Sequence, residues 1–155
     1  MALIDLYKQT REDEEKSRVR RVLTLRAMQA IGLSQRDIAH RLGVSQPAIS
    51  QQLNVSPKEF SAKTLISAAK PVLKELADYL CLRNLSIFGS VAREEATENS
   101  DVDLIATMPE GTGIKDLIAA QKIFEKTLGR DVDLISRKAL NPDRDADIIS
   151  DEVRV

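Results

Sequence analysis

Apolar residues recur at helical spacing through the first half of the chain and gather into short runs in the second. From about Glu12 to Ile31, the positions Val19, Val22, Leu23, Leu25, Ala27, Met28 and Ile31 mark one helix face, and Gly32 is its stop. Ahead of it, Leu3 to Thr10 reads as a short helix or a flexible lead. The acidic run Glu12–Glu15 would then complement the positive end of the helix dipole. Gly32 to Leu53 predicts two short helices, one from Ser34 to Leu42 and one following Ser45. Ile38, Ala39, Leu42, Val44, Ile49 and Leu53 form their apolar seam. Ser34 and Ser45 are capping types, Pro47 is tolerated in a first turn, and Gly43 supplies a left-handed turn residue with Val44 tucked inward. Ser56-Pro57-Lys58-Glu59 is a capping-box pattern. A linker is expected across Asn54–Lys63, then a helix from Ala62 to Ala69, and another starting at Pro71 with Val72, Leu73, Leu76, Tyr79 and Leu80 at helical spacing.

After residue 84 the period changes. Leu85–Phe88 is a short apolar run that reads as a buried strand, and Val91–Glu95 has helical composition. A strand starts near Asp101 and runs through Leu104, Ile105 and Ala106 to the stop at Pro109-Glu110-Gly111. Ile114–Leu128 is an amphipathic helix ended by Gly129. Asp131–Ser136 is a third strand. Asn141 and Pro142 predict the start of a final helix to about Ile149, and Val153 and Val155 a last short strand. The expected fold is thus an α+β two-domain chain. An all-helical unit, residues 1–60, precedes a small α/β unit with a short mixed sheet, residues 61–155.

Composition narrows the class. With 43% hydrophobic and 30% charged residues, the chain reads as an ordinary globular protein, and without Trp its core must be aliphatic. No run approaches the roughly 20 apolar residues needed to span a bilayer. There is no basic segment followed by an apolar one at the start, so no secretion signal is expected. Cys81 is the single cysteine and reads as a reduced thiol in or near the core. A cytoplasmic location is the expectation. The net charge of −1 hides an asymmetry: residues 1–83 carry 14 basic and 9 acidic side chains, residues 84–155 carry 9 and 15. A basic half joined to an acidic half points to two jobs. The arginines 18, 20, 21 and 26 along the first long helix form either a solvated face or a phosphate-contacting one.

The candidate chemistry lies in Leu85–Leu104, LSIFGSVAREEATENSDVDL. Gly89-Ser90 ends a strand and opens a helix, where unpaired backbone N–H groups attract phosphate. Asp101 and Asp103, two apart on a strand, face the same side while Val102 and Leu104 face the core. Paired carboxylates repel unless a cation lies between them. Mg2+ is the hard cation such a pair holds, together with substrate phosphates. Asp131 and Asp133 share a face in the same way, and Asp133, mid-strand, is expected to be buried beside the first pair.

These residues resemble the polymerase-beta-type nucleotidyltransferase superfamily, and within it the minimal MNT-type proteins often paired with HEPN toxins. Phe88, Gly89, Ser90, Ala92, Arg93 and Ala96, then Ser100, Asp101, Asp103 and Leu104, follow that pattern, and Asp133 takes the place of its third aspartate. The chain departs at Glu94, where the family commonly has glycine. The resemblance implies that Gly89 and Ser90 hold triphosphate oxygens, with Arg93 neutralising phosphate charge or pairing with Glu94 or Glu98. It implies that Asp101, Asp103 and Asp133 hold Mg2+, with ATP or another nucleoside triphosphate as substrate. Asp133 would help deprotonate the acceptor hydroxyl. The acceptor would be a cognate toxin-like protein, and this chain its antitoxin.

The seam from Gly32 to Leu53 is a helix-turn-helix pattern and strongly resembles the Xre-like DNA-binding family. That implies a double-stranded DNA partner, read by the second helix. Ser45, Gln46, Pro47, Ser50 and Gln51 are the candidate contacts, since Gln bonds adenine bidentately and Ser holds phosphates. His40 faces solvent in the first helix. A homodimer is expected, because one short reading helix meets few bases. The alternative reading is a transcriptional regulator whose second unit is catalytically silent and serves dimerisation or nucleotide sensing.

Overall fold

The computed structural model describes all 155 residues. Its first element, α1, is one unbroken helix, Ala2–Ala30. The expected start near Glu12 is therefore wrong, because the acidic run lies within a stretch of helix that stands off the body, where its side chains reach solvent around the helix and charge is no obstacle. Burial on α1 begins only at Val19 and continues with Val22, Leu23, Leu25 and Ala27.

Helices α2 (Gln35–Leu42) and α3 (Gln46–Leu53) follow as the caps predict. The Ser34 hydroxyl accepts from Asp37 N–H at 3.1 Å, and the Asp37 carboxylate accepts from Ser34 N–H at 3.1 Å, closing a reciprocal cap. Gly43 takes φ +66 and ends α2. Ser45 caps α3 by accepting from Ala48 N–H. Ile38, Ala39 and Ile49 close with Leu25 of α1 into a small core. Leu42 and Val44, expected in the seam, are instead about half exposed, because the three-helix unit has no fourth helix over that side.

A 3-10 turn, Pro57–Glu59, leads to α4 (Ala62–Tyr79). The structure merges the two helices expected here into one with Pro71 inside it. Proline in a helix interior costs about 3 kcal/mol. Leu65, Ala68, Ala69, Val72, Leu73 and Leu76 continue the buried stripe straight across it, and that burial outweighs the missing hydrogen bond. Cys81 is exposed in the turn after α4 at φ +57, not in the core.

The sheet comprises β1 (Arg83–Phe88), β2 (Val102–Thr107), β3 (Val132–Ser136) and β4 (Val153–Arg154), in the order β3-β2-β1-β4. β2 pairs antiparallel with β1 and parallel with β3, so the sheet is mixed. α5 (Gly89–Ala92) is a single turn after β1, α6 (Ile114–Leu128) crosses between β2 and β3, and α7 (Ala146–Asp151) precedes β4. The final helix begins four residues later than Pro142, because Asn141 caps a turn instead, its Oδ1 accepting from the N–H of Asp143 and Arg144. The two sheet faces differ. Leu85, Ile87, Val102, Leu104, Val132 and Leu134 join α4, α6 and the second half of α1 in one large core. The opposite face carries Asp103 and Asp133.

The large core therefore runs from Val19, Leu23 and Ala27 in α1 to Leu134 in β3. Two of the five arginines of α1 are partly buried against this packing. Arg20 Nε donates to the Ala68 carbonyl at 3.3 Å and Arg26 Nε to the Thr127 carbonyl at 3.1 Å. Gly129 sits so close to Pro57 that a Cβ there would come within 2.9 Å of the proline ring. α1 is thus the shared strut: it carries α2 and α3 on one end of its buried stretch and packs against α4 and α6. No helix is long and apolar enough to cross a membrane.

Candidate active site

Sheet register brings the acidic residues together. Asp103 on β2 lies opposite Asp133 on β3 and opposite Phe88 on β1. Asp101 precedes β2 by one residue, two positions from Asp103, so it faces the same side. Asp103 carries the electrostatic mark of this grouping: burial pushes its carboxyl above the ordinary value, and the charges of Asp133 and Asp101 push it further, with Arg93 pulling the other way. Asp103 is the half-buried member; Asp101 and Asp133 are exposed. The expectation that Asp133 is buried beside the pair is corrected here: β3 is an edge strand of the sheet, with nothing beyond it on that side.

Gly89 follows Phe88 and has φ +71. A Cβ there would overlap the Oδ2 atom of Asp103. Glycine is needed twice over, for its backbone angle and for the space the carboxylate occupies. Gly89 and Ser90 begin α5, which is shorter than the Val91–Glu95 helix read from composition. Glu94, in the position of the usual glycine, has φ +58. The loop keeps its left-handed bend with a glutamate in it, at a backbone cost of about 1–2 kcal/mol.

Arg93 lies near Asp103 but is not idle. Its Nη1 donates to Asp151 of α7 at 2.7 Å and its Nε to Glu95 at 3.0 Å. Its partners are these two, rather than Glu94 or Glu98, and together they hold its pKa above the ordinary value. Sequence reasoning missed Asp151, which lies 58 residues away and carries no local signal. It also missed Arg130. This side chain is only 8% exposed, and its Nη1 donates to the Thr97 carbonyl at 3.0 Å, tying the approach to Asp101 to the start of β3. Ser100 Oγ accepts from Thr97 N–H at 2.8 Å in the same loop. A cleft of about 400 Å3 lined by Lys58, Ser100, Asp101, Arg130 and Asp131 among others opens beside it. A separate cleft of about 620 Å3, lined by Lys63, Ile66, Lys70, Val91 and Val153 among others, contains none of the aspartates.

The residues fit a divalent cation, though not as a ready-made cage: no three acidic, histidine or cysteine side chains are gathered closely enough for that. A hard cation of the Mg2+ kind needs only one or two carboxylates, with waters and substrate phosphates filling its remaining positions. Repelling carboxylates beside a strand-to-helix glycine supply that arrangement.

The candidate DNA contacts lie on a different element. Ser45 is spent on its cap, Ser50 is half-buried, and Gln46, Pro47 and Gln51 are exposed on α3. His40 is exposed on α2.

Comparison with known proteins bears on the second half of the chain. "Protein adenylyltransferase MntA" of Thermococcus cleftensis is 36% identical over 67 residues, covering 43% of this chain and 68% of that protein. "Putative protein adenylyltransferase MJ0435" of Methanocaldococcus jannaschii is 36% identical over 61 residues, covering 39% and 66%. The chain thus spans about two thirds of the length of each. A solved structure described as a "putative minimal nucleotidyltransferase" superposes with a TM-score of 0.54 at 29% identity, covering 62% of this chain and 97% of that one. Members of this family use a nucleoside triphosphate and a divalent metal. The family model for the nucleotidyltransferase domain matches residues 69–155, the stretch that carries Gly89 and all three aspartates, and the chain therefore belongs to the nucleotidyltransferase family.

Proposed function

We propose that this protein transfers a nucleoside monophosphate from ATP, with Mg2+, to a hydroxyl of a partner protein. The carrying observation is the register that sets Asp103 against Asp133 and beneath Gly89. Gly89 and Ser90 would hold the triphosphate, and Asp101 and Asp103 would hold the cation. When bound, the cation neutralises charge on the attacking and leaving oxygens of an in-line displacement. The acceptor oxygen bonds to the α-phosphorus, the bond to the bridging oxygen breaks, and pyrophosphate leaves. Asp133 takes the hydroxyl proton.

A protein acceptor is favoured by the openness of the site and by the printed names of the relatives. Asp101 and Asp133 are exposed, and the cleft beside Asp101 is open and lined by polar and charged side chains, which suits an acceptor that brings its own surface. In this reading the acceptor is a toxin-like partner and the chain its antitoxin. The reciprocal cap at Ser34, the left-handed Gly43 and the exposed Gln46 and Gln51 support the companion reading, in which α3 reads duplex DNA and the protein represses its own operon.

The test incubates the full chain with each labelled nucleoside triphosphate, Mg2+ and a partner co-purified from the native host. Mass spectrometry should find an added nucleoside monophosphate on the partner, absent with Asp133→Asn. Modification of free small-molecule hydroxyls with the partner untouched would refute the protein acceptor. For DNA, selection from random duplexes by the full chain should yield one preferred sequence. Gln46→Ala with Gln51→Ala should relax it by about 1–3 kcal/mol for each bidentate glutamine–adenine pair removed; no preferred duplex would end that reading.

A further inference from the structure

α1 is 29 residues long, about 43 Å at the helical rise. Residues 1–14 are exposed without exception, and the first buried residue is Val19. About 20 Å of helix therefore stands off the folded body. Met1, Leu3, Ile4, Leu6 and Tyr7 lie on this arm and are 53–81% exposed. The only side-chain support within it is the Thr10 bond to the Leu6 carbonyl and loose ion pairs at Met1–Asp5 and Glu15–Arg18. A lone helix of this length is marginal in water, and of its exposed apolar side chains Met1 and Ile4 fall on the helix face of Lys8, Arg11, Glu12 and Glu15, one continuous stripe open to a partner.

The order of charges says what covers it. Lys8 and Arg11 come first, then Glu12, Asp13, Glu14 and Glu15. Lys8, Arg11, Glu12 and Glu15 stand at i, i+3, i+4 and i+7, along one stripe of the helix. We propose that the arm pairs antiparallel with the same arm of a second copy, the two-fold axis passing between Arg11 and Glu12. Lys8 then faces Glu15 and Arg11 faces Glu12, and symmetry makes each pair twice. Parallel pairing would instead set one acidic run against the other. In the antiparallel register Ile4 comes level with the partner copy's α1 at Val19 and Tyr7 level with Lys16, so the apolar tip of each arm ends where the other helix enters its body. The arrangement joins two α2–α3 units in one particle. It does not depend on the catalytic reading, and its test leaves catalysis aside.

The experiment measures the mass of the full chain in solution by light scattering or sedimentation at micromolar concentration, with two charge-reversal variants. Wild type should have twice the 17.2 kDa chain mass. Lys8→Glu/Arg11→Glu and Glu12→Lys/Glu15→Lys should each be monomeric, since each puts like charges across the axis. Mixed one to one, they should recover the dimer, because every facing pair is then opposite in sign. Lys8, Arg11 and Glu12 are exposed and Glu15 is partly exposed, and circular dichroism of each variant checks that the body stays folded. A monomeric wild type, variants that remain dimeric, or monomeric variants that fail to recombine would each overturn the proposal.

Discussion

Replacing Gly89 with alanine separates two costs that one residue carries. The first is the backbone: at φ +71, an alanine costs about 1–2 kcal/mol. The second is collision. The nearest atoms to the added Cβ all belong to Asp103, with Oδ2 overlapped and Cγ at 3.2 Å. The carboxylate must swing aside, and forcing a side chain some 30° off its rotamer costs about 0.5–1.5 kcal/mol. The total is about 1.5–3.5 kcal/mol, and at about 2–4 °C per kcal/mol for a chain of this size the melting temperature should fall by about 3–14 °C. Gly43→Ala is the control. Its φ is +66, and nothing lies within 4 Å of the added Cβ, so it incurs the backbone cost alone. Calorimetric titration with a nucleoside triphosphate and Mg2+ then distinguishes them. Gly89→Ala should bind at least tenfold more weakly, equivalent to about 1.4 kcal/mol, because Asp103 is displaced. Gly43→Ala should bind as wild type does. Metal-dependent binding by Gly89→Ala at wild-type strength would refute the pairing of Gly89 with Asp103.

Asp103→Asn should raise the melting temperature of protein treated with EDTA while abolishing the stabilisation that Mg2+ and nucleotide confer. The raised Asp103 pKa means that the folded chain holds this proton more tightly than the unfolded one, so stability without metal falls as pH climbs above the ordinary carboxylate value. A wild-type melting curve that rises with pH across that window, with the Asp103→Asn variant behaving identically, would contradict it. Glu94→Gly should stabilise by up to about 1.6 kcal/mol, the relief of about 1–2 kcal/mol at φ +58 being partly offset by about 0.4–1 kcal/mol of added freedom in the unfolded chain; urea denaturation measures it, and a loss of stability would count against the strain. Arg130→Met should speed amide exchange across residues 97–101 and weaken nucleotide binding, since it removes the tie to the Thr97 carbonyl. Unchanged exchange there would remove Arg130 from any part in holding Asp101.

Much of the site was legible because its signals are local. The alternation of Asp101, Val102, Asp103 and Leu104 follows from the two-residue period of a strand, and buried Val102 and Leu104 bear it out. Ser34 and Ser45 sit where helices begin because a side-chain oxygen can satisfy orphan backbone N–H groups only from that position. Gly89 read as a turn residue since few other residues accept its angles. Local signals also misled. The acids at 12–15 resemble a helix start, and Pro71 resembles another, yet continuous apolar stripes carry α1 and α4 through both. Burial summed along a helix outweighs one unfavourable residue.

By itself, then, the sequence determined the strands, most helix ends, the glycine turn and the three aspartates. Tertiary structure decided how these meet. Parallel pairing of β2 with β3 puts Asp133 beside Asp103, and β3 at the sheet edge leaves Asp133 exposed while the inner strand raises the Asp103 pKa. The partners of Arg93 at Asp151 and of Arg130 at Thr97 are set by hydrogen bonds between residues 58 and 33 positions apart. So is the packing of Arg26 against the Thr127 carbonyl, 101 residues away, which fastens α1 to the catalytic unit. Periodicity reports which face of an element is buried; which other element buries it depends on shape and packing across the whole chain, and no window of sequence contains that.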